Sequence, residues 1–288
     1  MTMATLIAAG RLDESLLRAA LARAGGMRLI QWVEPGSAAD VAGDASAAAL
    51  RAAFDGWEGV DLIPSSAGAR EKKLLVADMD STMIGQECID ELADYAGIKP
   101  QIAAITERAM QGELDFAAAL RERVALLRGL EESAITHCLG ERIRPNPGAA
   151  TLVGTMRARG AMTLLVSGGF TAFAEPIAAK LGFERVEANV LEAGEGRLSG
   201  SVMGGIVDAA YKARALVATR DALGLSTGDT LAIGDGANDI AMIEAAGLGI
   251  AYRAKPALAA VADARVDHHG LDALLWAQGI PSAEWVIS

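Results

Sequence analysis

The chain has 288 residues, 52% hydrophobic and 22% charged, with a formal net charge of −11 at pH 7. That length exceeds one average domain, and the acidic balance argues against a nucleic-acid partner, whose phosphates the general surface would repel. No apolar run approaches the ~20 residues of a membrane helix, and Met1–Ile7 lacks the basic region of a signal peptide, so the cytoplasm is the expected compartment.

Residues 1–63 read as a small α/β unit. Ala4–Ala9 has strand character, Asp13–Ala24 has helical spacing, and Met27–Val33 is a second strand. Pro35–Ala48 is weakly patterned and yields no strand; Ala49–Phe54 then reads as helix and Val60–Ile63 as extended. Pro64–Lys73 has linker composition, which places the domain boundary near residue 70. The order resembles a shortened ACT-like, ferredoxin-type module, which implies either amino-acid binding or pairing of two copies as a homodimer. Removing residues 1–70 is expected to leave the chemistry of 71–288 intact.

From Leu74 onward short apolar runs (Leu74–Ala77, Met162–Val166, Thr230–Ile233) alternate with helical segments, the pattern of a parallel sheet buried on both faces. Between the first two strands, residues 84–155 read as a mostly helical lid, with helices over Gln86–Ala96, Gln101–Met110 and Phe116–Arg128 stopped by Gly97, Gly112 and Gly129. Glu187–Val207, centred on Gly194-Glu-Gly196, reads as a β-hairpin. Cys88 and Cys138 are expected as packed thiols, and His137, His268 and His269 lack zinc-site spacing. His268 and His269 are expected on the surface after a strand.

Ligands of parallel sheets bind at the carboxyl ends of the strands. Here those ends carry Asp78-Met-Asp80-Ser-Thr82, Ser167-Gly168-Gly169 and Gly234-Asp235-Gly236-Ala237-Asn238-Asp239. The first offers paired carboxylates, although Asp, Ser and Thr also favour turns and caps. The second offers a hydroxyl and glycine amides that can approach an anion closely. The third is an oxygen-rich turn suited to Mg²⁺. Two like charges 4 Å apart cost about 4 kcal/mol at an effective dielectric near 20. These carboxylates and a phosphate therefore need cations between them, a divalent metal and Lys212 among them.

Asp78-Met-Asp80-Ser81-Thr82, Ser167-Gly168-Gly169-Phe170, Lys212 and Gly234–Asp239, in that order, resemble the four-part signature of the haloacid-dehalogenase superfamily, and most closely its phosphoserine phosphatase branch. The similarity covers about residues 72–280. It implies a Rossmann-like parallel sheet with a helical cap, and Mg²⁺-dependent hydrolysis of phosphoserine, the last step of serine biosynthesis. By the same resemblance Asp78 is the nucleophile that forms an aspartyl-phosphate and Asp80 the general acid and base. Ser167, Gly168, Gly169, Lys212 and Asn238 hold the phosphate. Asp78, the Asp80 carbonyl and Asp235 bind Mg²⁺, with Asp239 behind them. In the lid, Gly85-Gln-Glu87, Met110, Phe116 and Arg123 fall at substrate-reading positions: Glu87 for an ammonium, Arg123 for a carboxylate, Met110 and Phe116 as cover. Asn189 also fits the pattern. Two alternatives remain at this point, a phosphatase or phosphotransferase of the same superfamily acting on another small ester, and a receiver-type phospho-acceptor switch.

Overall fold

A computed structural model of the protein describes residues 2–65, 69–110 and 113–287, the side chains of Ala47 and Met110 excepted. Gly112, expected to stop a lid helix, and part of the expected linker (66–68) lie outside the described residues.

The N-terminal part runs β1 (Thr2–Leu12), α1 (Glu14–Ala24), β2 (Arg28–Glu34), β3 (Gly36–Gly43), α2 (Ala47–Phe54) and β4 (Asp61–Pro64). Its antiparallel sheet has the order β2-β3-β1-β4, so the module is a complete ferredoxin-type βαββαβ rather than a shortened one. The side chains of Asp13 and Ser46 cap the two helices by accepting from Leu16 and Ala49 N–H. Strand β3 departs from the expectation of weak structure over Pro35–Ala48. Its Ser-Ala-Ala-Asp-Val-Ala composition carries little β-propensity, yet Ala38–Gly43 are buried. Small residues suit a strand enclosed on both faces.

That enclosure joins the two parts of the molecule. One face of the sheet packs on α1 and α2 through Leu6, Ala39, Val41 and Leu50. On the other face, Ile7, Ala38 and Ile63 belong to one continuous core with the C-terminal helix Ala273–Ala277. The expectation that 71–288 is indifferent to the N-terminal module meets a shared core.

The larger part is built on a seven-stranded sheet, β11-β10-β9-β5-β6-β7-β8. In chain order its elements are β5 (Leu74–Ala77), lid helices α3 (Cys88–Tyr95), α4 (Lys99–Met110), α5 (Phe116–Ala125) and α6 (Ser133–Glu141), then α7 (Ala149–Ala158), β6 (Met162–Phe170), α8 (Thr171–Leu181), β7 (Arg185–Gly194), β8 (Arg197–Met203), α9 (Ala209–Ala222), β9 (Thr230–Gly234), α10 (Ile240–Ala245), β10 (Leu248–Tyr252), α11 (Pro256–Val261), β11 (Ala264–Val266) and α12 (Ala273–Ala277). All strands are parallel except β8, which returns antiparallel to β7 across a turn where Glu195 and Gly196 both have positive φ, the preference of a tight hairpin. Alternate residues of β5 enter opposite cores, Leu75 and Ala77 on one face, Leu74 and Val76 on the other. The chain crosses into and out of the lid side by side, with Ile84 bridged to Pro145 and Gly85 N–H donating to Arg144 O. Helix α7 packs on β6 and α8, in the layer beside the sheet.

Candidate active site

Strand order reverses around β5: the next strand, β6, lies on one side of it and β9 on the other, which opens a crevice at their carboxyl ends. A cleft of ≈ 430 Å³ occupies it, lined by Asp78, Asp80, Glu87, Phe116, Arg123, Ser167, Gly168, Gly169, Asp235 and Asn238 among others. Lid and sheet residues predicted from separate motifs thus meet in one place. Among the predicted substrate residues, the Met110 side chain lies outside the described ones.

Lys212 is the hub. Its ammonium is 1% exposed and lies 2.7 Å from Asp78 Oδ1 and 2.8 Å from Asp239 Oδ1. Burial works against that charge, but Asp78 and Asp239 outweigh it and hold the proton more tightly than usual. Asp78 Oδ1 also accepts from Met79 N–H at 2.7 Å. Burial and the nearby Asp239 push the Asp78 carboxyl up, with Lys212 opposing them. Asp80 is pushed up to about 7, first by burial and then by Glu87. An acid with that value can give a proton to a leaving oxygen near neutrality and take one back from water. Its Oδ1 is oriented by Cys88 N–H at 3.3 Å.

At the tip of β6, Gly169 N–H donates to Ser167 Oγ at 2.9 Å. Asn189 Nδ2 donates to Gly168 O, and its own Oδ1 accepts from Val207 N–H, so this buried amide holds the Ser167–Gly169 turn in place. Both glycines sit where a side chain would be tightly placed. A Cβ on Gly169 would come within 3.0 Å of Asp80 Oδ2, and one on Gly168 within 3.1 Å of the Phe116 ring. The second contact puts the Phe116 ring of the lid beside the Gly168 turn.

Oxygen atoms of Asp78, Asp235 and Asp239 lie within 4.8 Å of one another, a spacing a divalent cation can bridge. Asp239 is already committed, since Oδ1 accepts from Lys212 and Oδ2 from the amides of Asp235 and Gly236. Asp78 and Asp235 are the better ligands, and Asp239 stiffens the loop behind them. Thr82 Oγ1 donates to Asp235 Oδ1 at 3.3 Å. An all-oxygen, doubly anionic set fits a hard divalent metal.

On the lid side, Glu87 Oε1 accepts from Ser81 Oγ at 2.7 Å. Ser81 itself takes φ 54, in the left-handed region. The only described bond of the half-buried Arg123 guanidinium is to its own helix, at Ala119 O, and no described ion pair includes it. Burial opposes its charge, while the carboxylates of Asp90, Glu87 and Asp80 favour it. Lys255, which belongs to none of the strand-tip motifs, also lines the cleft, with its Nζ 3.6 Å from Asp235 Oδ2. Its sequence signal was present, because Leu248–Tyr252 is a further apolar strand whose tip reaches the same edge. Both cysteines are buried as expected. His268 is exposed, whereas His269 is not: its ring is clasped between Asp61 and Ala9 N–H.

Residues 75–244 match the family model described as haloacid dehalogenase-like hydrolase. The chain belongs to that family. Among its relatives, phosphoserine phosphatase SerB2 of Mycobacterium tuberculosis is 47% identical over 215 residues, 75% of this chain and 52% of that one, so the match spans about half of that relative's length. A phosphoserine phosphatase of Albidiferax ferrireducens is 45% identical over 70% of this chain and 88% of its own. Among solved structures, a HAD family hydrolase of Salmonella enterica serovar Typhi superposes with a TM-score of 0.86 at 27% identity, covering 96% of this chain and 98% of its own. That hydrolase therefore resembles the present one across the N-terminal module as well as the catalytic part. Among the described residues no helix is long and apolar enough to cross a membrane.

Proposed function

We propose that this haloacid dehalogenase-like hydrolase is a phosphoserine phosphatase that uses Mg²⁺ and works through an aspartyl-phosphate on Asp78. The observation that carries the reading is the convergence, in one lid-covered cleft, of Asp78, Asp80 and the Ser167–Gly169 turn with the cap pair Glu87 and Arg123. Relatives named phosphoserine phosphatase at 45–47% identity support it, as does a cleft whose lid side brings a carboxylate, Glu87, and a guanidinium, Arg123, to a zwitterionic substrate.

An Asp78 carboxylate oxygen attacks phosphorus, an O–P bond forms, and the ester O–P bond breaks. Asp80 gives its proton to the departing serine oxygen. Asp80, now ionised, takes a proton from water as the water oxygen attacks phosphorus. The Asp78–phosphorus bond breaks, which frees inorganic phosphate and restores both side chains. Ser167, the Gly168 and Gly169 amides, Lys212 and Asn238 hold the equatorial oxygens, where charge accumulates. Mg²⁺ held by Asp78, Asp235 and the Asp80 carbonyl would supply two positive charges against a phosphate dianion in an acidic crevice. Glu87 takes the substrate ammonium and Arg123 its carboxylate through a two-pronged contact, while Phe116 excludes water. In a cell that reaction completes the synthesis of serine.

A substrate panel tests this. With Mg²⁺, phosphoserine is expected to exceed phosphothreonine, phosphohomoserine and sugar phosphates in kcat/KM. Multiple-turnover phosphate release by the wild-type protein separates an enzyme from a phospho-acceptor switch, and Asp78→Asn should abolish it. Arg123→Ala should lower kcat/KM for phosphoserine by about 10²-fold, the scale of a lost charge-assisted contact, and leave a generic aryl phosphate within a few-fold. Equal losses on both would remove the carboxylate assignment.

A further inference from the structure

The cations of the cleft differ in freedom. Lys212 is locked between two carboxylates and 1% exposed, and Arg123 is held on the lid. Lys255 is anchored only at its base. Its N–H donates to the Asp235 carbonyl at 2.8 Å, and Pro256 follows it at the start of α11. This places the residue against the β9 tip while the side chain remains 68% exposed. At 3.6 Å, Nζ is in ion-pair contact with Asp235 Oδ2 but beyond a good hydrogen bond. The same side chain lines the cleft with Ser167, Gly168 and Asn238.

We propose that Lys255 is a two-position cation of the active site: it neutralises Asp235 while the metal is absent, and it meets the phosphate of the incoming substrate at the rim. The proposal rests on the phosphatase reading given above, and goes beyond it by adding a charge that the strand-tip motifs do not include. The physical need is plain. The molecule carries −11 overall, the cleft is lined by Asp78, Asp80, Glu87 and Asp235, and the single charge of Lys212 is shared by two buried carboxylates. A dianion approaching such a mouth is repelled unless an outer cation offsets the field. A flexible ammonium on a four-carbon stem can serve both partners in turn.

The test uses the full-length protein with Lys255→Met, which keeps the stem and removes the charge, and Lys255→Arg, which restores it. Calorimetric titration of the substrate-free protein with Mg²⁺ is expected to show the Met variant binding tighter by about two- to fivefold, the range of a released exposed ion pair. For phosphoserine at low ionic strength, kcat/KM of the Met variant should fall about threefold to tenfold, and the gap should close toward 1 M salt, where the screening length shrinks to about 3 Å. The Arg variant should recover most of the loss. Unchanged Mg²⁺ affinity in the Met variant, or a kcat/KM gap that persists at high salt, overturns the proposal. If the wild-type protein fails to hydrolyse phosphoserine at all, the functional reading falls on its own, and the Mg²⁺ titration still decides the role of Lys255.

Discussion

Asp80 illustrates how much of a residue's role comes from its surroundings. Two positions from Asp78 at the end of β5, it could have been an ordinary turn carboxylate. Burial and the neighbouring Glu87 instead lift its pKa to about 7. The raised value means that the protonated form persists to neutral pH and is lost as pH rises through that point. Leaving-group protonation needs the acid and water activation needs the base, so the two half-reactions should depend on pH in opposite senses. In rapid-quench experiments, aspartyl-phosphate formation should decline above an apparent pKa at or below about 7, because a metal cation nearby favours the carboxylate. Dephosphorylation should rise through the same range. Two half-reactions with parallel pH profiles would show that different groups carry the protons.

At the scale of elements, the chemistry was the most legible part because strand tips advertise themselves: an apolar run ends abruptly in Asp, Ser, Gly or Asn. Asp78, Ser167 and Asp235 were visible for that reason, and the lid followed from the helical spacing between the first two tips. Strand β3 was invisible because its residues are chosen for being small between two packed layers, which erases the alternation that marks a half-exposed strand. Lys255 was missed because a lone lysine before a proline has many ordinary explanations, and only the neighbouring strand end gives it a place. The lid's attachment was equally silent. Its two crossings are tied by Asn146, whose Nδ2 donates to Thr82 O at 2.8 Å and Ile84 O at 3.0 Å, next to the Thr82 hydroxyl that holds Asp235. Asn146→Ala would leave both carbonyls short of a donor at a half-buried site. A loss of about 1–3 kcal/mol is expected in denaturant melts, together with a larger fall in kcat/KM for phosphoserine than for an aryl phosphate that does not need the lid. An unchanged melt would show that water replaces the amide without cost.

For the whole molecule, the N-terminal module is fastened rather than tethered. Arg70 donates to Asp40 of β3 at 2.6 and 2.8 Å and to the carbonyls of Trp276 and Ala277 at the end of α12. This puts a guanidinium where a helix carboxyl end welcomes positive charge. The buried carboxylate thus has a partner from the segment read as linker, and the sheet face that a free-standing docking domain would offer is covered by the catalytic part of the same chain. Truncation at residue 70 would strip the cover from α12, so a cleaner probe is a single side chain.

Asp61, at the start of β4, reaches across the junction and accepts from the amides of Asp267, His268 and His269 and from the His269 ring at 2.7 Å. Burial resists its ionisation, but the His269 hydrogen bond and the backbone donors outweigh that resistance and hold the carboxyl below the usual range. A depressed carboxyl pKa contributes stability that is fully present above the unfolded-state value and is lost as pH falls through the folded one. The junction should therefore weaken in acid, below about pH 4. Asp61→Asn keeps the shape and removes the charge. It should cost about 2–3 kcal/mol at pH 7, with the difference from wild type shrinking as pH falls below 4, while kcat for phosphoserine at 25 °C stays within twofold because the cleft lies elsewhere. A stability difference between the two proteins that is as large at pH 3 as at pH 7 would mean that the second acceptor oxygen, which asparagine replaces with a donor, and not the charge, holds the module to the sheet.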